Sequence, residues 1–237
     1  MERDKSTIII IPHAGGASHH YQIFANQLQE VCRIYLYNLP GHGPRSKESL
    51  LESMDDVVKD LMTKTDFIEN ENWAIFGHSM GSHIAHAFLR MRYNYGLSLP
   101  TCFFASGTPS PVNRRSEAIS DLTGDQFWHR LSHFGAIPDD IFHNHEFRSF
   151  FEVILRKDME IVEKYKPDIT KLPIPVHVFY GLDDMTENGC LSWSQDSDYP
   201  VVQHPFKGDH FFLFKYCNDI CEIMKKEISK QITQICR

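Results

Sequence analysis

Residues 73–81 read WAIFGHSMG, and they decide how the rest of the chain is interpreted. The apolar run at 73–76 has the character of a buried strand, and the residues after 81 have helical spacing. Gly-x-Ser-x-Gly between a strand and a helix is typical of a nucleophile elbow, a tight turn that lifts a serine hydroxyl clear of the backbone. Because on the order of one chain in ten of this length would carry the five-residue pattern by chance, the surrounding sequence has to support Ser79 as a nucleophile.

The 237 residues alternate short apolar runs with amphipathic helical patterns. This alternation predicts one α/β domain, 1–237, with a mostly parallel central sheet flanked by helices. The predicted strands are Thr7–Ile11, Ile34–Tyr37, Trp73–Phe76, Thr101–Ala105, Val176–Tyr180 and Val201–His204. The helices predicted between and after them are Tyr21–Glu30, Met54–Ile68, Gly81–Tyr93 and a C-terminal helix Phe211–Ile235, broken near its start.

The segment 107–167 is longer than an ordinary crossover between two strands. It contains helical patterns at Gly124–Phe134, Asp139–Phe142 and His145–Tyr165. Because it leaves the carboxyl end of a strand, where ligands bind in open α/β sheets, we expect a helical lid over the site. Its aromatic residues would form an apolar wall for a substrate, with Phe127, Trp128 and Phe134 as candidate contacts. A helical excursion that only covers the sheet is the alternative.

A serine hydroxyl needs an adjacent base, and that base needs an orienting group. The base candidate is His210, which follows the last predicted strand and opens the last helix. The carboxylate candidates are Asp183 and Asp184, which directly follow the strand 176–180. Serine, carboxylate and histidine thus occur in the order used with nucleophile elbows, each at a strand end. Position alone does not choose between the two aspartates.

Acyl transfer also requires N–H donors for a developing oxyanion. One donor is expected from the backbone of Met80, which follows the nucleophile. The other is expected from the glycine-rich loop PHAGG at 12–16, through His13 or Ala14. A phosphate-binding role for this loop is disfavoured, because the chain has neither a Walker pattern nor Gly-x-Gly-x-x-Gly.

Charge and composition exclude several classes of function. Lys and Arg number 24 against 31 Asp and Glu, and the net charge of −7 argues against a nucleic-acid partner. No segment is long and apolar enough to serve as a membrane span or a secretory signal, so we expect a cytoplasmic protein. The six cysteines are expected to be reduced thiols. Neither the Cys217/Cys221 nor the His143/His145 spacing completes a metal site, so we expect no metal and no cofactor.

Five segments together resemble the type II (external, editing) thioesterases of nonribosomal peptide and polyketide synthesis. They are IPHAGG at 11–16, LPGHG at 39–43, FGHSMG at 76–81, VHVFYGLDD at 176–184 and GDHFFL at 208–213. The resemblance covers nearly the whole chain. It implies an α/β-hydrolase fold with a helical lid, and hydrolysis of acyl or aminoacyl groups from the phosphopantetheine arm of carrier proteins. It also implies that Asp184, the second aspartate, is the triad member with Ser79 and His210. Ser82 departs from the family pattern, in which a small apolar residue is common.

Two other functions remain open at this point. One is a general fatty acyl or acyl-CoA thioesterase, or a carboxylesterase. The other is a catalytically inactive hydrolase fold that serves as a binding subunit. For the carrier-protein function we expect a monomer that docks an acidic carrier through basic residues near the site entrance, with candidates Arg45, Lys47, Arg114 and Arg115.

Overall fold

The computed structural model describes residues 5–113, 118–135, 145–167, 169–185 and 187–235. Six parallel strands form one sheet in the order β2-β1-β3-β4-β5-β6. The strands are β1 (Ser6–Ile11), β2 (Cys32–Leu36), β3 (Trp73–His78), β4 (Phe103–Ser106), β5 (Val176–Gly181) and β6 (Val202–Phe206). The predicted parallel sheet is therefore confirmed, with each strand within three residues of its expected bounds.

Eight α-helices occur in the described part of the chain. They are α1 (Gln22–Leu28), α2 (Met54–Lys64), α3 (Met80–Asn94), α4 (Gly124–Ser132), α5 (His145–Lys164), α6 (Glu187–Leu191), α7 (Phe212–Lys215) and α8 (Cys217–Ile235). The expected break in the C-terminal helix lies at Tyr216, between α7 and α8. Helix α6 is too short to produce a periodic signal and was not predicted. The predicted helix Asp139–Phe142 lies outside the described residues.

The side chains of β1 show how the core forms. Ile9 and Ile11 point to one face of the sheet, where they pack with α2 and α3. Ile8 and Ile10 point to the other face, where they pack with α1 and α8. Since both faces of a parallel sheet are covered, its strands are continuously apolar rather than alternating.

Helices α4 and α5 belong to the segment between β4 and β5. They form a separate small cluster with Phe127, Trp128, Leu131 and Leu155 buried together. The C-terminal half of α5 also joins the main core through Ile161 and Val162. Helix α5 is therefore packed against the body of the domain.

The strand order reverses between β1 and β3, because β2 lies on the far side of β1. At such a switch point the connections leave toward opposite faces of the sheet, and a crevice opens at the carboxyl ends of the strands. The loop 12–16 follows β1 and Ser79 follows β3, so both lie at this crevice.

Five cysteines fall in the described residues, and all five are buried free thiols, as predicted. None of the helices described is long and apolar enough to cross a membrane. Cys236, His143 and the side chain of His145 lie outside the described residues.

Candidate active site

Ser79 lies at a strained turn between β3 and α3. Its φ of 54° and ψ of −118° make it the sole non-glycine residue with positive φ in the described chain. Such a conformation costs roughly 1–3 kcal/mol and persists only where the surroundings enforce it. The Ser79 N–H donates to the Ser106 carbonyl at 2.7 Å. A Cβ at Gly77 would lie 2.2 Å from the Gly81 carbonyl oxygen, so the turn closes only with glycine there.

Ser82 fastens this turn to the neighbouring strand, a role that the sequence did not reveal. Its buried hydroxyl donates to the Gly77 carbonyl at 2.6 Å and accepts from the Ser106 N–H at 3.0 Å. The same hydroxyl thus joins β3, the turn and β4. The one sequence signal was that a polar residue stands where the resembled family has a small apolar one.

Asp184 and His210 are hydrogen-bonded to each other. The Nδ1 of His210 lies 2.9 Å from Asp184 Oδ2, and the two side chains are 7% and 14% exposed. They are brought together because the loops after β5 and β6 are joined by backbone bonds, including Asp183 N–H to Gly208 O at 3.0 Å. The Asp183 side chain is exposed to solvent. Of the two aspartates, Asp184 is therefore the one that contacts His210.

Two further histidines, His78 and His13, lie in the same region as His210. The ring of His78 is fully buried, with its centroid 4.9 Å from that of His210. His13 packs edge-on against Phe211, and its Nδ1 lies 2.8 Å from the Tyr21 hydroxyl. Burial, with smaller effects of His20 and His210, lowers the pKa of His13 to about 3. Burial, then His210 and His13, lowers the pKa of His78 well below its ordinary value. Burial therefore favours the neutral form of both rings.

The candidate oxyanion donors differ in their availability. Met80 is the first residue of α3, and a leading N–H has no intrahelical acceptor. The His13 N–H is engaged with the Tyr21 hydroxyl at 3.3 Å. The Ala14 N–H makes no hydrogen bond to any described part of the protein. Of the two loop residues, Ala14 rather than His13 has an uncommitted donor.

A cavity of about 1060 Å³ brings these groups together. Ser79, Met80, Ala14, Asp184 and His210 all line it. The segment between β4 and β5 supplies much of the apolar wall, through Trp128, Leu131, Phe134, Phe151, Leu155, Met159 and Val162.

The three aromatic residues predicted to contact substrate have different positions. Trp128 and Phe134 line the cavity, and the Phe134 ring centroid lies 5.1 Å from that of His210. Phe127 does not line it. That side chain is fully buried inside the segment, with the Arg156 guanidinium 4.1 Å from its ring centroid. The structure therefore does not bring Phe127 to the cavity that Trp128 lines, because neighbouring residues on a helix point about 100° apart.

Arg45, a candidate for carrier docking, is committed to contacts within the protein. Its guanidinium binds Asp60 at 2.6 and 2.8 Å and Glu48 at 2.6 and 2.8 Å. Its side chain is 17% exposed. We therefore read Arg45 as a structural residue. Arg114 and Arg115 lie outside the described residues.

Comparisons with known proteins give matches over nearly the whole chain. A family model described as "Thioesterase domain" matches residues 6–228. The chain is 27% identical to the medium-chain S-acyl fatty acid synthase thioesterase of Rattus norvegicus, across 94% of this chain and 86% of that protein. It is 26% identical to the gramicidin S biosynthesis protein GrsT of Aneurinibacillus migulanus, across 94% of this chain and 89% of that protein.

A solved structure extends the similarity to three dimensions. The type II thioesterase BorB from the borrelidin biosynthetic cluster matches with a TM-score of 0.83 at 27% identity, across 94% of this chain and 93% of that chain. The fold expected from the sequence is thereby confirmed.

Proposed function

Because this chain belongs to the thioesterase domain family, we propose that it is a serine hydrolase that removes acyl or aminoacyl groups from the phosphopantetheine arm of carrier proteins. It would serve the editing or regeneration of a nonribosomal peptide or polyketide synthase. The observation that carries the proposal is that Ser79, at its strained turn, lines one apolar cavity together with the hydrogen-bonded Asp184–His210 pair.

The first half of the reaction is acylation of Ser79. Its Oγ attacks the thioester carbonyl carbon and forms a C–O bond, while His210 takes the hydroxyl proton as general base. The carbonyl oxygen becomes negative, and the N–H groups of Met80 and Ala14 stabilise it. The C–S bond then breaks, and His210 returns the proton to the departing sulfur.

The second half releases the acid. His210 removes a proton from water, which attacks the acyl-serine carbonyl, and Ser79 leaves with a proton returned from His210. Asp184 accepts the Nδ1–H of His210 throughout. It thereby keeps the Nε2 lone pair directed toward the serine side and stabilises the imidazolium that forms at each step.

The segment 107–167 acts as the helical lid in this proposal. Most of its cavity-lining side chains, among them Leu131, Phe151 and Met159, are apolar and suit an acyl chain, although Arg130 and Glu163 also line the cavity. Phe134 covers His210 and helps to exclude bulk water from the reacting atoms.

The proposed substrate form, a carrier-bound thioester, rests on the relatives. GrsT and BorB are named for the gramicidin S and borrelidin pathways. In synthases of this kind the acyl group is held on a carrier protein, so the carrier is the proposed partner.

A fatty acyl or acyl-CoA thioesterase is the second candidate. The apolar cavity and the similarity to the rat fatty acid synthase thioesterase favour it. Both candidates use the same chemistry at Ser79. They differ in the group to which the acyl chain is attached, which is a carrier protein in the first and a fatty acid synthase or coenzyme A in the second.

The test compares kcat/KM on three substrates with the same acyl group: an acyl carrier protein, acyl-CoA and a p-nitrophenyl ester. We expect the carrier-bound thioester to be preferred. A preference for acyl-CoA or for the p-nitrophenyl ester would refute the carrier role. Ser79→Ala should abolish turnover and labelling by a fluorophosphonate probe. Turnover of this variant close to that of the wild type would refute the nucleophile assignment.

A further inference from the structure

Asp158, on helix α5, is a buried carboxylate that the mechanism above does not use. It is 1% exposed. Its Oδ2 accepts the Gly15 N–H at 2.7 Å and lies 2.9 Å from His42 Nε2. Gly15 follows Ala14 in the loop after β1, and His42 belongs to the loop after β2. One oxygen atom therefore joins the segment between β4 and β5 to two loops at the carboxyl ends of the sheet.

The partners of His42 define its protonation state. Its Nδ1 lies 3.0 Å from the Pro40 carbonyl oxygen, and its Nε2 faces Asp158. A backbone carbonyl and a carboxylate both accept hydrogen bonds, so a proton on each ring nitrogen satisfies both contacts, and the arrangement favours the imidazolium form of His42. The buried carboxylate thus has one cation and one backbone N–H as donors, and this pairing offsets the loss of hydration.

The contact at Gly15 is sterically tight as well as polar. Gly15 has a φ of +68°, and a Cβ there would lie 2.8 Å from Leu155 Cδ2 and 3.0 Å from Phe151 Cε1. Helix α5 therefore presses its apolar side chains against the backbone of this loop, one residue from Ala14. The position of the loop after β1 therefore depends on its contact with α5.

Given the proposed function, in which Ala14 donates to the oxyanion, we infer that Asp158 is a positioning residue: it holds the Ala14–Gly15 backbone, from α5, where the Ala14 N–H meets the developing negative charge. Asp158 touches no reacting atom and acts through Gly15. His42 is its counterion and fixes the loop after β2 to the same carboxylate. The wall of the acyl cavity and one half of the oxyanion site are therefore built as a single unit.

Asp158→Leu and Asp158→Asn form the test, because both replacements keep the number and branching of the side-chain heavy atoms of Asp. Leu removes the acceptor, whereas Asn keeps an acceptor oxygen and removes the charge. We expect kcat of Asp158→Leu on a p-nitrophenyl ester to fall about 10- to 100-fold with little change in KM, since loss of one oxyanion donor lowers kcat by about 10²- to 10³-fold. Asp158→Asn should recover most of that loss.

The control is Glu160→Gln, which removes a carboxylate from the same helix. Glu160 pairs with Lys157 and Lys164 at the surface, and its replacement should leave kcat unchanged. A trifluoromethyl ketone, which forms a tetrahedral adduct with a serine, gives a second readout. Its affinity should fall with Asp158→Leu by the same factor as kcat/KM, because both report on the oxyanion site.

The outcomes separate this inference from the proposed function. If Ser79→Ala remains active, both are overturned. If Ser79→Ala is inactive while Asp158→Leu keeps the wild-type kcat and ketone affinity, the positioning role alone is overturned. Equal losses for Asp158→Leu and Asp158→Asn would also overturn it, because the acceptor oxygen would then be irrelevant. Should Asp158→Leu not fold, Asp158→Ala replaces it, and hydrogen exchange of the 13–17 amides in that variant should be faster than in the wild type. Unchanged exchange would overturn the positioning role.

Discussion

Replacing Asp184 with Asn should lower kcat by about 10⁴-fold, whereas the same change at Asp183 should leave kcat nearly unchanged. The two residues are adjacent and chemically identical, but Asp184 alone contacts His210, at 2.9 Å. An Asn amide can turn its NH₂ group toward Nδ1. His210 then takes the tautomer with its proton on Nε2, and that nitrogen has no lone pair to accept the Ser79 proton.

The magnitude follows from the geometry. The His210 and Asp184 side chains are 7% and 14% exposed, so little water is available to replace the lost carboxylate. A factor of 10⁴ corresponds to about 5.4 kcal/mol of transition-state stabilisation. It combines the wrong tautomer with the loss of a charge that stabilises the imidazolium. At Asp183 the structural contact is a backbone N–H, which donates to Gly208 O and is kept in Asn.

The assay is steady-state hydrolysis of a short-chain p-nitrophenyl ester and of the matching acyl carrier protein. A fluorophosphonate titration counts competent sites, and the melting temperature verifies that both variants are folded. Equal losses in the two variants would show that His210 is not oriented by Asp184. A large loss confined to Asp183→Asn would show that Asp183, not Asp184, is the triad carboxylate.

Three further predictions concern the turn, the buried ion pair and the cavity. Ser82→Ala removes two buried hydrogen bonds and should lower the free energy of unfolding by about 1–3 kcal/mol in urea titrations; an unchanged midpoint would contradict this role. Burial lowers the pKa of His42, but the hydrogen bond and charge of Asp158 outweigh it and raise that pKa above its ordinary value. The stabilisation from the His42–Asp158 pair is thus complete below the pKa of His42 in the unfolded chain, about 6.5. It is lost as the pH rises through the pKa of His42 in the folded protein. Urea midpoints should therefore fall with rising pH more steeply in the wild type than in His42→Gln, and parallel curves would refute this. Met159→Trp narrows the cavity and should reduce kcat/KM for long acyl chains more than for acetyl, while Val153→Trp, at an exposed position of the same helix, should not; equal chain-length profiles would exclude Met159 from the acyl site.

Much of the fold could be predicted from local sequence. The apolar runs predicted the strands because a parallel sheet covered on both faces buries consecutive residues, as Ile8 to Ile11 show. Glycine at 77 and 81 marked the turn at Ser79, since the close backbone approach there admits no side chain. The order of Ser79, the aspartates and His210 along the chain also placed the candidate site at the carboxyl ends of the strands.

The contacts within the site could not be predicted from local sequence. Asp183 and Asp184 follow the same strand, and the backbone pairing of two loops determined which one meets His210. Trp128 lines the cavity and Phe127 does not, although both are aromatic and both are buried. Local patterns do not distinguish these pairs, because they specify which residues are buried but not which surface buries them.

By itself the sequence determined the parallel sheet, the turn at Ser79 and the chemical types of the groups around it, because these depend on neighbouring residues and on periodicity. Only the tertiary structure decided that Asp158 meets Gly15 and His42, which are 143 and 116 residues away in the chain. It also decided that Ser82 joins two strands and that the Ala14 N–H has no acceptor among the residues that the structure describes. The physical reason is that a hydrogen bond between distant segments depends on how whole elements pack, and no local pattern records that packing.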